Sequence, residues 1–302
     1  MRELQYHLVD VFTDQQFGGN PLAVFTDGQG VADGLMQAIA KELNLSETTF
    51  VLPPTDPAND CRVRIFTPGG ELPMAGHPTV GTAFVLARDG RTPVRDGEAR
   101  FIFEEGVGPI PVTLAMRDGA PDMIWMKQPA PTFGPIFENR AEIAEMLSLT
   151  PDDLDDRYPI ERVSSGVPFV YVPLASLDAA RRARLRLDLW ERLNGPKQLG
   201  KVFLFTRETQ YPGSTVHSRM FAPVIGIAED AATGGASGPL GCYLVQYGIA
   251  AAGQALVSEQ GIEMGRPSFL HIRIERDGEV FTHVGVGGQC VYVGHGALQI
   301  SE

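Results

Sequence analysis

The sequence predicts an α+β protein made of two related halves, and three observations lead there. Arg64-Ile-Phe-Thr-Pro68 recurs as Arg219-Met-Phe-Ala-Pro223, and each copy is followed by a glycine-rich loop. Each loop opens into a segment that is apolar nearly all round. Val80, Ala83, Phe84, Val85, Leu86 and Ala87 make up one, and Leu240, Cys242, Tyr243, Leu244, Val245 and Tyr247 the other. A helix without a polar face is buried on most sides. Finally, strand, helix, strand, strand and buried helix follow in the same order in both halves, the pattern of an ancestral duplication. Two glycine-rich loops brought face to face by such a repeat predict one active cleft between the halves.

The elements follow in order. Residues 4–12 read as an opening strand, and a turn at 17–20 leads into a second one ending at Phe25. Asp33 is placed to cap a helix in which Met36, Ile39, Ala40 and Leu43 fall at helical spacing, with Asn44 as its stop. Glu47 stands at the mouth of an apolar strand, residues 47–52. Cys61, Val63 and Ile65 alternate with Arg62, Arg64 and Phe66, which is strand periodicity, until Pro68-Gly69-Gly70 ends the run. Pro78 suits the first position of the helix over 79–87, because the N–H it lacks has no intrahelical partner there. The free N–H groups at that helix start open beside His77 and can hold an anionic group. Residues 99–104, 110–116 and 123–128 alternate as short strands, and the proline-rich 129–135 reads as a linker. The expected division is therefore an N-terminal half, 1–128, and a C-terminal half, 129–302, whose last strands are free to pack back on the first. The second half reads as a short helix around Ile143, Met146 and Leu147 and another begun by Thr150-Pro151. A strand at 165–172, a helix over 177–193 and a strand at 202–205 precede the repeated arginine strand and its buried helix. Strands at 269–274, 280–286 and 289–293 close the chain.

Composition narrows the function. With 302 residues, 43% of them apolar, the chain is long enough for two ordinary domains. No run of 18 or more apolar residues is present, and the start lacks a signal peptide's apolar core. The net charge is −12, and the densest basic run, 181–186, reads as a solvated helix face, so a nucleic-acid partner is not expected. Three cysteines, Cys61, Cys242 and Cys290, without CxxC spacing point to a reducing cytoplasm. Neither glycine loop fits a nucleotide P-loop, Gly285-Val-Gly-Gly288 completes no dinucleotide fingerprint, and Gly235-Ala-Ser-Gly-Pro239 is no nucleophile elbow. No histidines sit at metal spacing, and His217 and His271 read as ordinary surface or strand residues. Neither a metal nor a cofactor is expected, and chemistry falls to side chains, with proton transfer the natural candidate.

Glu47, His77 and Asp230 are the ionisable groups at the strand mouth and the two loops. A carboxylate in a partly apolar cleft has a raised pKa, which suits it to take and return a carbon-bound proton. Taken together, Phe17-Gly-Gly-Asn-Pro-Leu-Ala-Val24, Leu45-Ser-Glu-Thr-Thr-Phe-Val51, Phe66-Thr-Pro68 with Ala75-Gly-His-Pro-Thr-Val-Gly-Thr-Ala83, Arg219-Met-Phe-Ala-Pro223 with Glu229-Asp-Ala-Ala-Thr-Gly234, and Val286-Gly-Gly-Gln289 resemble the phenazine-biosynthesis PhzF-like isomerases. The resemblance spans essentially the whole chain. It implies the diaminopimelate-epimerase fold, two similar α+β halves each with a curled sheet around a central helix, assembled as a homodimer. It also implies cofactor-independent isomerisation of trans-2,3-dihydro-3-hydroxyanthranilate, with Glu47 as general acid/base and His77 and Asp230 beside it. The backbone amides of Gly76 and Gly234 would hold a carboxylate, and Asn20, Ser46 and Gly235 complete the implied substrate-binding set. Related racemases carry two thiols at the positions that Ala75 and Thr233 occupy here, which argues against a two-thiol mechanism. One departure stands out: the family loop continues Thr-Gly-Ser, whereas this chain has Thr233-Gly234-Gly235. A non-catalytic ligand-binding protein of the same fold, or a hydrolase or lyase using Glu47 as base, are the rival readings.

Overall fold

The computed structural model describes residues 1–300. They form two compact units, Met1–Lys127 with the segment from Gly285 onward, and Gln128–Val284. The chain thus crosses to the second unit one residue before the sequence-based division and returns at Gly285. The return has a simple cause, since the last strand pairs along the whole of the first, from Arg2↔Ile300 to Val11↔Cys290.

In the first unit β1 (Arg2–Val11) and β2 (Asn20–Phe25) are antiparallel. Helix α1 (Asp33–Leu43) then carries the chain over to β3 (Glu47–Leu52), which lies parallel to β2. Antiparallel returns give β4 (Cys61–Thr67) and the short β5 (Gly70–Leu72). Helix α2 (Gly76–Arg88) follows, and then β6 (Glu98–Glu105), parallel to β4. Strands β7 (Gly108–Arg117) and β8 (Ala120–Lys127) complete an antiparallel meander. Residues Gly76 through Ala87 of α2 are all buried, as an all-round apolar helix requires. Gly81 permits the closest approach: a Cβ there would lie 2.6 Å from Leu22 Cδ2 and 2.7 Å from Val11 Cγ2.

The second unit opens with β9 (Thr132–Ile136), α3 (Arg140–Met146), β10 (Glu161–Ser164) and β11 (Pro168–Pro173). It then repeats the plan. Helices α4 (Leu177–Arg182) and α5 (Leu187–Lys197) cross to β12 (Val202–Thr206), parallel to β11. Strands β13 (Val216–Ala222) and β14 (Ile227–Asp230) return antiparallel. The buried helix α6 (Gly234–Gln246) comes next, and β15 (Leu256–Gln260) runs parallel to β13. Strand β16 (Ser268–Asp277) is antiparallel to β15, and β17 (Val280–Gly288) and β18 (Cys290–Ile300) lead the chain back. The order of parallel crossover, antiparallel returns, buried helix and parallel return is the same in both units, so the duplication is written in the strand pairing itself. Among the described residues no helix is long and apolar enough to cross a membrane.

Several local expectations need correction. Helix α2 starts at Gly76, so Pro78 is the third helical residue; its missing N–H is still among those without an intrahelical partner. The N-cap of α1 is Ala32, and Asp33 instead pairs with Arg64 Nη1 at 2.5 Å. The helix expected over 177–193 is two helices. Between them the N–H groups of Arg184 and Arg186 donate to the carbonyls of Leu147 and Met146, bonds that draw this stretch out of helical geometry. Thr150-Pro151 begins only a single 3-10 turn, Pro151–Asp153, closed by a capping box. Within the expected linker, Thr132–Ile136 is a strand, held by pairing with β10.

Candidate active site

In the first unit, β2 and β3 run parallel, so the start of each lies at the same end of the sheet, Asn20 on one and Glu47 on the other. The first turn of α2 arrives at that end. His77 Nε2 lies 3.4 Å from Glu47 Oε2, and His77 Nδ1 lies 3.2 Å from Asn20 Nδ2. Asn20, Glu47 and His77 are all at least nine-tenths buried, Gly76 is buried beside them, and Ser46 is half-buried. A Thr49–Thr82 hydroxyl bond of 2.9 Å ties β3 to α2 behind the pair. Burial drives the His77 pKa down to about 3, so the ring is neutral in ordinary solution. The Asn20 amide donates to Nδ1, an assignment made from the hydrogen-bond network, which places the single ring proton on Nε2, the nitrogen nearer Glu47. His77 therefore places a neutral ring, and no positive charge, beside Glu47. Long-range nitrogen-proton NMR spectra are expected to show His77 as the neutral Nε2–H tautomer from pH 5 to 8. An imidazolium signal near pH 6 would contradict this.

The second unit holds a polar cluster of its own. Asp230 ends β14, and its Oδ2 accepts from the Thr233 hydroxyl at 2.7 Å. Gln260, at the end of β15, donates to the Asp230 carbonyl (2.8 Å) and to Thr233 Oγ1 (2.9 Å), and accepts from Thr233 N–H (3.0 Å). Gly234 and Gly235 form the first turn of α6, both buried. The turn is steadied by Gln128, which donates to the Gly234 carbonyl at 2.9 Å, and by Tyr171, which donates to the Ala236 carbonyl at 2.7 Å.

The duplication fixes how the two clusters correspond. Arg64 grips Glu71 with two bonds, 2.8 and 2.7 Å, and lies over the Phe66 ring at 5.0 Å. Arg219 grips Glu229 in the same way, 2.7 and 2.8 Å, over Phe221 at 5.1 Å. Aligning the two glutamates pairs Ala75 with Thr233, Gly76 with Gly234 and His77 with Gly235, the extra residues of the second copy falling in the turn Pro223–Ile225.

The structure thus brings Asn20, Glu47, His77 and Gly76 together in one unit, and Asp230, Gly234 and Gly235 in the other. Sequence reasoning missed Gln260 and Gln128. A signal for the former was available, because Glu259-Gln260-Gly261 ends its strand just as Glu104-Glu105-Gly106 does. His217 is no surface residue: it is fully buried, with Nδ1 at 2.9 Å from Glu259 and Nε2 at 3.0 Å from Glu263.

Comparison with known proteins agrees with this architecture. The phenazine biosynthesis-like protein family (PhzC-PhzF) matches residues 9–296. A protein of Mesorhizobium japonicum described as an uncharacterized isomerase is 38% identical over 99% of this chain and 100% of its own. The trans-2,3-dihydro-3-hydroxyanthranilate isomerase of Pseudomonas fluorescens is 36% identical over 97% of this chain and 98% of its own. Among solved structures, a PhzF-family phenazine biosynthesis protein of Bacillus anthracis superimposes with a TM-score of 0.88 at 28% identity, covering 99% of this chain and 100% of that one. The duplicated strand plan, the two buried helices and near full-length similarity lead to one conclusion: the chain belongs to the phenazine biosynthesis-like (PhzC-PhzF) family and is an isomerase of the diaminopimelate-epimerase type of fold.

Proposed function

We propose that this isomerase moves a proton between carbon atoms of a small unsaturated or cyclic carboxylate by general acid/base catalysis, without a cofactor and with Glu47 as the base. The observation that carries this reading is the buried Glu47–His77 pair at the start of α2. Glu47 takes a proton from a carbon acidified by a neighbouring π-system and returns it elsewhere on the same molecule. The neutral His77 lies 3.4 Å from the carboxylate and adds no charge that would compete for the proton. The Gly76 N–H at the start of α2 is suited to bind the substrate carboxylate, and in the second unit Gly234 N–H and Asp230 are the binding groups that the resemblance implies. The substrate class is that of trans-2,3-dihydro-3-hydroxyanthranilate, on which the Pseudomonas relative's name says it acts. Such an enzyme works in the cytoplasm as a homodimer, the latter checked by light scattering. Incubation with the compound in heavy water tests the chemistry: one isomeric product carrying solvent deuterium at carbon supports it. A second product would point to a lyase or hydrolase, and binding without turnover to a ligand carrier.

Gly235 tunes the substrate. Where the resemblance implies a serine, glycine removes a hydroxyl that could both donate and accept. Gly235 lies inside α6, so its backbone is helical and admits a side chain without the strain of positive φ. The wild type is expected to act on the dihydro-hydroxyanthranilate slowly, and Gly235→Ser to raise kcat/KM on it. Equal values for the two proteins, with the wild type turning over at ~10 per second, would make the departure neutral.

A further inference from the structure

A buried carboxyl outside the proposed chemistry lies behind the start of α2. Glu105, the last residue of β6, is 6% exposed, and its Oε1 is 2.6 Å from Thr79 Oγ1. The same Thr79 oxygen is 2.6 Å from the carbonyl oxygen of Ala75, the N-cap of α2. A hydroxyl has one proton, and a carbonyl can only accept. Both short contacts are hydrogen bonds only if Thr79 donates to Ala75 and Glu105 donates to Thr79, so the carboxyl carries a proton. The environment agrees: Glu105 Oε2 is buried with no hydrogen-bond partner, a costly place for an anion, and burial pushes the Glu105 pKa up to about 8. The next residue, Gly106, presses on the loop ahead of the helix, since a Cβ there would lie 2.8 Å from Pro73 Cα.

The second unit contains the same brace with different chemistry. Phe103 of β6 pairs with Cys61 of β4, and Ser258 of β15 pairs with Val216 of β13, so Glu105 and Gln260 hold matching positions two residues on. Gln260 bonds Thr233 and Asp230 ahead of α6, and a Cβ on Gly261 would lie 2.5 Å from the Ala231 carbonyl oxygen. One unit steadies its helix start with an amide, the other with a carboxylic acid.

We propose that Glu105, as the neutral acid, is a positioning residue that holds the first turn of α2, and with it Gly76 and His77, through the chain Glu105–Thr79–Ala75. The effect on turnover rests on the general acid/base reading given above; the effect on the helix start does not. When Glu105 ionises, Thr79 turns its only proton to the carboxylate, and the Ala75 carbonyl keeps just the 3.3 Å bond from Thr79 N–H. Other charged groups around this corner titrate elsewhere. Burial pushes the Cys61 thiol up to about 12, and hydrogen bonds from the Asp56 and Thr55 segment hold Glu104 at about 2. His77 is held at about 3 by burial, and Glu71 is paired with Arg64, whose own pKa that bond raises. The sign follows from a folded pKa above the ordinary 4.5. The contribution to stability is complete below pH 4.5 and is lost as the pH rises through about 8.

The test follows the backbone amide resonances of Gly76 and His77 in the full-length protein from pH 6 to 9.5, alongside kcat and KM. The wild type is expected to show an inflexion near pH 8 at both amides and a fall in kcat over the same range, with KM less affected. Glu105→Gln keeps a donor to Thr79 at every pH, so the inflexion disappears and activity persists on the alkaline side. Thr79→Val abolishes the inflexion and lowers kcat at all pH values, and Thr79→Ser restores both. Absence of the inflexion in the wild type, or its persistence in Glu105→Gln, overturns the proposal. If no turnover is found on any substrate tried, the acid/base reading fails while the amide titration still decides this one.

Discussion

Glu47→Gln is expected to lower kcat by two to four orders of magnitude while leaving the thermal melt of the protein unchanged. General acid/base catalysis contributes ~10²–10⁴-fold, and the substitution removes that alone. The amide fills the volume of the carboxylate, and the neutral His77 ring, its Nε2 3.4 Å from Glu47 Oε2 in the wild type, loses no ionic partner by the change. Packing behind it is untouched, because the Thr49–Thr82 bond and the pairing of Leu22 with Glu47 depend on other atoms. What the amide cannot do is take a proton. Retention of more than about a tenth of the wild-type rate would falsify the assignment of Glu47 as base, given that same contribution.

His217→Leu is expected to destabilise the protein by about 3–5 kcal/mol, the usual cost of leaving buried charge without its partner. His217 bridges Glu259 and Glu263, and Glu259 also accepts from the N–H groups of Gln210 and Tyr211. Burial alone would lower the His217 pKa, but its bonds to the two glutamates outweigh that and raise it. Burial would raise both glutamates, and their bonds to His217 lead the contributions that bring them below 4.5 instead. The sign is then set. The histidine's contribution is whole below pH 6.5 and disappears as the pH rises through its folded value. That of the glutamates is whole above 4.5 and disappears in acid. Wild-type Tm should therefore be highest, as far as this cluster goes, between about 4.5 and 6.5. In His217→Leu the alkaline decline is lost and Tm drops by on the order of 10 °C at pH 6. Adding Glu259→Leu and Glu263→Gln should recover part of the loss, since a buried ionic cluster is often replaceable as a whole though not in pieces. A Tm within a degree or two of wild type would mean that the cluster is not charged.

How much of this was legible in the sequence depends on the range of the interaction. The two buried helices and the repeated arginine strands announce themselves through local pattern. Glu47 and His77 stand out by position, at a strand mouth and a helix start. The ion pairs Arg64–Glu71 and Arg219–Glu229 fix the register between the two copies, which the pattern alone does not. Contacts made far along the chain left no such trace. Nothing around His217 advertises acids 42 and 46 residues further on. The break between α4 and α5 comes from carbonyls on α3 and its end, and β9 is a strand only because β10 lies beside it. Gln260 and Glu105 are ordinary polar residues at strand ends until the loops they brace are seen.

The pairing of β18 with β1 has a consequence for synthesis. The second unit is continuous in sequence and can be completed while the ribosome still holds the remaining residues. The first cannot, although it is made first. Until residues 285–300 emerge, β1 has β2 on one side and an open edge on the other, and Leu4 lacks the cover of Leu298 and Ile300. An unpaired edge with apolar residues invites association with other chains. Nascent chains stopped before Gly285 should therefore give a protease-resistant second unit joined to a labile first one, and the elements that carry Glu47 and His77 would be the last part of the protein to become secure.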